Sequence, residues 1–92
     1  MWWLYILECR NSSLYVGVTN DLERRFRDHS SGNGGHYTSQ NRPDKILYTE
    51  NFSLKSVAEA RERQIKRWTK AKKLALIRGD IKLLASLSIS RD

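Results

Sequence analysis

Cysteine occurs once in this chain of 92 residues, proline once and histidine twice. A lone Cys9 cannot form an intramolecular disulfide, and it is better placed as a buried strand residue than as a nucleophile. Cys9, His29 and His36 are too few and too badly spaced for a zinc finger. Packing must therefore hold the fold, in a chain able to bury roughly 60–65% of its unfolded surface. Long apolar runs are also missing. Met1 to Leu7 has no basic flank and is closed by Glu8, so it reads as neither a signal peptide nor a span. With one free thiol and no export signal, the expected location is cytoplasmic. Hydrophobic residues make up 39% and charged residues 29%, which excludes a disordered chain. One domain over 1–92 is expected, with a core over about 2–78 and a C-terminal helix and tail over about 80–92.

Negative charge is scarce too. Ten acidic residues face 17 Lys and Arg, a net charge of +7. The imbalance is local: residues 55–83 carry ten basic and three acidic side chains, and the rest of the chain is balanced. A polyanion is the partner this favours, nucleic acid before an anionic membrane surface. A solubilising helical face is the plainer reading of the same charges.

Six residues from Trp2 to Leu7 are aromatic or aliphatic with no polar alternation, the pattern of a central strand covered on both faces. Asn11-Ser12-Ser13 is a turn signal before a second strand, Leu14 to Thr19, which makes an antiparallel hairpin. Asn20 with Glu23 forms a capping-box pattern for a helix from Asp21 to about Ser30, with Leu22 and Phe26 inward and Arg25 and His29 as an i, i+4 pair. Gly-rich residues 31–35 open a loop carrying His36 and Tyr37. Lys45 to Glu50 is a third strand. Ser53, or Ser56 with Glu59, caps a further helix with Val57, Ala58, Ile65 and Trp68 inward. Thr69 starts another, with Ala71, Leu74, Ala75 and Ile77 inward and Gly79 ending it, and Asp80 caps a last short helix. The expected class is α+β: a three-stranded antiparallel sheet flanked by helices in the order β-β-α-β-α-α.

Four segments then stand in a telling order: Trp3-Leu4-Tyr5; Tyr15-Val16-Gly17; Leu22-Glu23-Arg24-Arg25-Phe26 with His29; and Ala60 to Trp68 followed by Lys72-Lys73. Together they resemble the GIY-YIG nuclease family, in particular its small single-domain bacterial branch, the URI-type endonuclease domain. The resemblance runs from Trp2 to about Ile77. It departs at Trp3, where the family has Gly. It implies the GIY-YIG fold and cleavage of nucleic-acid phosphodiesters with one divalent metal, Mg²⁺ or Mn²⁺. It further implies that Tyr5 and Tyr15 are the two motif tyrosines, Arg25 the helix arginine, His29 the histidine four residues on, and Glu62 the metal-binding glutamate.

The chemistry of these side chains suits those roles. One carboxylate such as Glu62 can hold Mg²⁺ with waters in the other positions. Arg25 offers a permanent planar cation to phosphate oxygens. Tyr5 is expected to activate water, with His29 accepting or orienting its proton and Tyr15 orienting water or phosphate; the two tyrosines can exchange roles. A free tyrosine titrates near pH 10, and Arg25, a metal and a bond to His29 are expected to favour the phenolate. Without the motif, Glu62 reads as a helical ion pair with Lys66, and Arg25 with His29 as a solvated face. Lys66, Arg67, Lys70, Lys72 and Lys73, with His36 and Tyr37, are expected to bind the strand, DNA before RNA. Trp2, Trp3, Trp68 and Tyr48 read as packing. A hairpin pairing Arg10 with Leu14 and Tyr5 with Thr19 puts Tyr5 and Tyr15 on one face; a one-residue slip separates them. The alternative function on the same fold is a nucleic-acid binding module that does not cut or that needs a partner protein.

Overall fold

Aromatic and branched residues drive the first stretch into an extended strand, β1 (Trp2–Cys9), which pairs with β2 (Leu14–Thr19) and with β3 (Pro43–Phe52). The computed structural model describes residues 1–31 and 43–89, with Asp44, Ser88 and Ile89 described by backbone only. His36 and Tyr37 lie outside the described residues. The helices among them are α1 (Leu22–Ser30), α2 (Lys55–Lys66), α3 (Lys70–Arg78) and α4 (Ile81–Ile89). The sheet is antiparallel in the order β2-β1-β3, so β1 is the central strand, as its unbroken apolar run requires. The fold is α+β as expected, and the last helix is a full nine residues.

The hairpin turns one residue earlier than Asn11-Ser12-Ser13 suggests. Ser12 takes a left-handed φ of 68°, its N–H bonds to the Cys9 carbonyl, and the Cys9 N–H bonds to the Ser13 carbonyl, both at 2.9 Å. That is a three-residue loop ending in a left-handed residue. Moving such a loop by one residue moves the register by two. Tyr5 therefore opposes Gly17 rather than Thr19, and Leu7 opposes Tyr15. Parity is kept, so Tyr5 and Tyr15 still share a face.

The two faces of the sheet have different contents. Leu4 and Ile6 of β1 and Val16 of β2 meet Ile65 of α2 in one apolar core, with Tyr48, Phe52, Trp68, Leu76 and Ile77 packed against it. Leu4, Ile6 and Ile65 are fully buried. Burying each such side chain contributes about 1.5–3 kcal/mol. The alternate residues, Tyr5, Tyr15 and Gly17, point to the other face, where α1 lies.

Three local expectations are corrected. Asp21, not Asn20, caps α1 and accepts from the Arg24 N–H at 3.1 Å. Thr19 Oγ1 accepts from the Asp21 N–H at 3.1 Å, which fixes the turn and leaves Asp21 extended at the cap position. Neither Ser53 nor Ser56 caps α2: β3 runs on to Phe52, the cap falls on Leu54 without a side-chain bond, and Ser56 lies inside the helix. Val57 faces outward at 46% exposure and Ala71 is exposed. The buried residues of α2 are Ala58 and Ile65, two turns apart. The turn between them carries Arg61 and Glu62, charged residues where an ordinary core helix is apolar. Thr69, Gly79 and Asp80 punctuate the last helices as expected, with Gly79 left-handed at φ 70°.

Candidate active site

Tyr5 is 2% exposed, and its ring lies across Gly17 of the neighbouring strand. A Cβ at Gly17 would fall 2.5 Å from Tyr5 Cζ, far inside contact distance. Glycine is required there by close approach, and it lets the hydroxyl reach from the central strand toward edge strand β2. The hydroxyl meets His29 Nε2 at 2.9 Å in a buried hydrogen bond. Tyr15 completes the cluster, with ring centroids 4.9 Å from His29 and 6.3 Å from Tyr5. His29 is fully buried on the inner side of α1. Arg25, one turn earlier, is half-buried, and its Nε is buried without a hydrogen-bond partner among the described residues. A buried cationic donor in that state is costly unless an acceptor arrives.

The ionisation of the pair differs from the expected phenolate. Burial pushes Tyr5 up to about 12, although the nearby Arg25 opposes this; the charges of Tyr15 and Glu62 add to the rise. His29 is pushed down, by burial first and then by Arg25. Both groups are therefore neutral near neutral pH. A neutral pair assigns the hydrogen bond: the Tyr5 O–H donates, Nε2 accepts, and the imidazole proton sits on Nδ1.

Glu62 comes from α2 and is near enough for its charge to act on Tyr5. Its side chain is 22% exposed, and Oε2 lies 3.1 Å from Lys66 Nζ. Among the described residues no group of three or more His, Cys, Asp or Glu could hold a metal ion. A single, partly solvated carboxylate does not suit zinc. It does fit a hard divalent cation that keeps most of its waters.

The basic residues divide sharply. Lys66 and Lys73 line a groove of about 360 Å³ whose other walls are Leu14, Tyr15 and Val16. Lys70 Nζ donates to the Ser12 carbonyl at 2.7 Å, and Lys72 sits 4.3 Å from the Trp68 ring centroid. Arg67 is exposed at the end of α2. Arg61, part of the basic excess, is a structural tie. It grips Glu50 with two bonds of 3.0 Å, while Tyr48 donates to the same carboxylate at 2.5 Å. The charge count alone did not separate Arg61 from phosphate-seeking cations; its place between Ala58 and Ile65 is the signal that could have. Gly17 was likewise visible only as part of a motif, and its reason is the Tyr5 ring.

The chain is similar to known proteins over most of its length. The family profile for the GIY-YIG catalytic domain matches residues 1–75. A UPF0213 protein of Clostridium perfringens is 46% identical over 75 residues, covering 82% of this chain and 81% of that one. A UPF0213 protein of Haloquadratum walsbyi is 43% identical over 74 residues, covering 80% and 83%. The solution NMR structure of the UPF0213 protein BH0048 from Bacillus halodurans is 37% identical, covers 84% of this chain and 83% of its own, and superposes with a TM-score of 0.54.

Proposed function

Since this chain belongs to the GIY-YIG nuclease family, we propose that it is a metal-dependent endonuclease that hydrolyses phosphodiester bonds of nucleic acid, DNA in the first instance. The observation that carries this reading is the buried Arg25 Nε, without a partner among the described residues, beside the hydrogen-bonded Tyr5–His29 pair. A phosphate oxygen is the acceptor that Nε of Arg25 lacks among the described residues. Arg25 would hold the scissile phosphate and oppose the negative charge that grows on it during attack.

Tyr5 and His29 work as a relay. A water oxygen attacks phosphorus as its proton passes to the Tyr5 oxygen, and Tyr5 releases its own proton to His29 Nε2. A free phenolate, which burial disfavours, is then never needed. The lowered proton affinity of His29 keeps Nε2 open to receive it near neutral pH. The phosphorus–oxygen bond to the leaving oxygen breaks as the new bond forms. Tyr15, packed against His29, orients water or phosphate. Glu62 would hold Mg²⁺ or Mn²⁺, which when bound supplies charge neutralisation to the phosphate. Lys66, Arg67 and Lys73 extend the positive surface from this centre.

The test is cleavage of labelled single-stranded, duplex and branched DNA, with and without Mg²⁺ or Mn²⁺, by wild type, Glu62→Ala and Arg25→Ala. Metal-dependent cutting by wild type, lost in both variants, is expected. Cutting that survives both substitutions places the activity elsewhere. Binding without cutting under either metal favours the non-catalytic module.

A further inference from the structure

The groove beside edge strand β2 is not part of the hydrolytic centre, yet it touches it twice, through Tyr15 and through the Lys66–Glu62 pair. It is lined by Leu14, Tyr15 and Val16 of β2 and by Lys66 and Lys73; Leu14 and Tyr15 are partly exposed, while Val16 is buried in the core. At about 360 Å³ it is within the size range of small-ligand pockets. Resting on the nuclease reading above, we infer that this groove is a subsite for the nucleotide next to the scissile phosphate: Lys66 and Lys73 clamp that nucleotide's phosphate, and its sugar and base lie along Leu14 and Tyr15.

Charge complementarity selects this occupant. Two cations face one groove, and Lys73 is pushed below the ordinary lysine range by burial and by the charge of Lys66. Among the described residues Lys73 has no carboxylate within ion-pair distance. Among the same residues Lys66 pairs with Glu62 alone, which the nuclease reading assigns to a metal. A bridging phosphate relieves the repulsion and draws Lys66 from Glu62, with or without a cation on Glu62. Partly exposed Leu14 and Tyr15 beside two cations match a nucleotide, which carries an apolar face and an anion side by side. The neighbouring cations are already committed: Lys70 to the Ser12 carbonyl, Lys72 to the Trp68 ring and Arg61 to Glu50. The inference therefore replaces a diffuse basic platform with two named lysines.

Binding of a fluorescent DNA oligonucleotide in EDTA, measured across salt concentrations, separates the two pictures. Each phosphate contact contributes roughly 0.7–0.9 to the slope of log K against log salt. Lys66→Gln and Lys73→Gln are each expected to lower the slope by about that amount, whereas Lys70→Gln and Lys72→Gln leave it unchanged. A single methylphosphonate next to the cut site should weaken wild-type binding and add nothing in Lys73→Gln. Equal slope losses in all four variants, or no loss in Lys66→Gln and Lys73→Gln, overturn the clamp. The metal-free readout keeps the two claims apart. Selective slope loss with no cleavage by wild type rejects the nuclease reading and keeps the clamp; cleavage with unselective slopes does the reverse.

Discussion

The two faces of the sheet are built from alternate residues of the same strands, and they carry opposite assignments. On one face Leu4, Ile6 and Val16 close on Ile65 with no polar side chain among them. On the other, Tyr5 and Tyr15 meet His29 near Arg25, and a buried hydrogen bond and a cationic nitrogen without a partner among the described residues stand where packing alone would put aliphatic groups. Aliphatic packing is concentrated on the first face and the proposed chemistry on the second. A period of two lets a strand of eight residues do both without compromise. The pieces join at Tyr5, whose ring lies across Gly17 of edge strand β2 and on which the charge of Glu62 from α2 acts.

Substitutions that respect or violate this division test it. The largest effect is expected on the core face: Leu4→Ala should cost about 2–5 kcal/mol in denaturant unfolding, because it empties a fully buried site. An unfolding midpoint near that of wild type would break the comparison from the core side. Arg25→Ala should lower single-turnover cleavage about 10²–10³-fold, roughly 2.7–4 kcal/mol at the transition state, with unfolding little changed. A large stability loss with cleavage retained in the surviving folded protein would make Arg25 structural. Arg61→Ala should cost about 1–3 kcal/mol of stability, since it strips both bonds from the partly buried Glu50 and leaves Tyr48 as its partner. Its salt slope for DNA binding should match wild type; a drop would return Arg61 to the binding surface.

The smallest effect is a pH dependence. His29 has a lowered proton affinity in the fold, among Tyr5, Tyr15, Arg25 and Asp28. Above the unfolded value of about 6.5 it is neutral in both states and contributes no pH dependence. As pH falls below that, the unfolded chain takes the proton first, so stability is lost until the lower folded value is passed. Thermal melts between pH 7.5 and pH 5 should show this fall in wild type and a shallower one in His29→Gln. Identical profiles would remove His29 from the buried pair.

Much of this was legible in the residues, for physical reasons. β2 was bounded correctly because turn formers and a capped helix flank it. The shared face of Tyr5 and Tyr15 survived a two-residue register error because only parity matters to a strand. The cap of α1 was missed by one residue, since Asn20 and Asp21 are equivalent caps until Thr19 fixes the turn. Val57 is apolar and reads as inward, while the inward positions of that helix go to Arg61, whose carboxylate partner Glu50 lies on β3, and to Glu62, whose charge acts on Tyr5 of β1. The protonation of Tyr5 was not legible at all. Burial and Arg25 pull it in opposite directions, and only the packed arrangement decides that burial wins.

The central claim is that the Tyr5 hydroxyl, not the ring that fills the space, carries the chemistry of its face. Tyr5→Phe keeps the ring and deletes only the oxygen bonded to His29. Cleavage and thermal unfolding measured on one preparation test the claim directly. A fall in cleavage of about 10²–10⁴-fold with the fold retained is predicted. Cleavage at the wild-type rate by a folded Tyr5→Phe would contradict it.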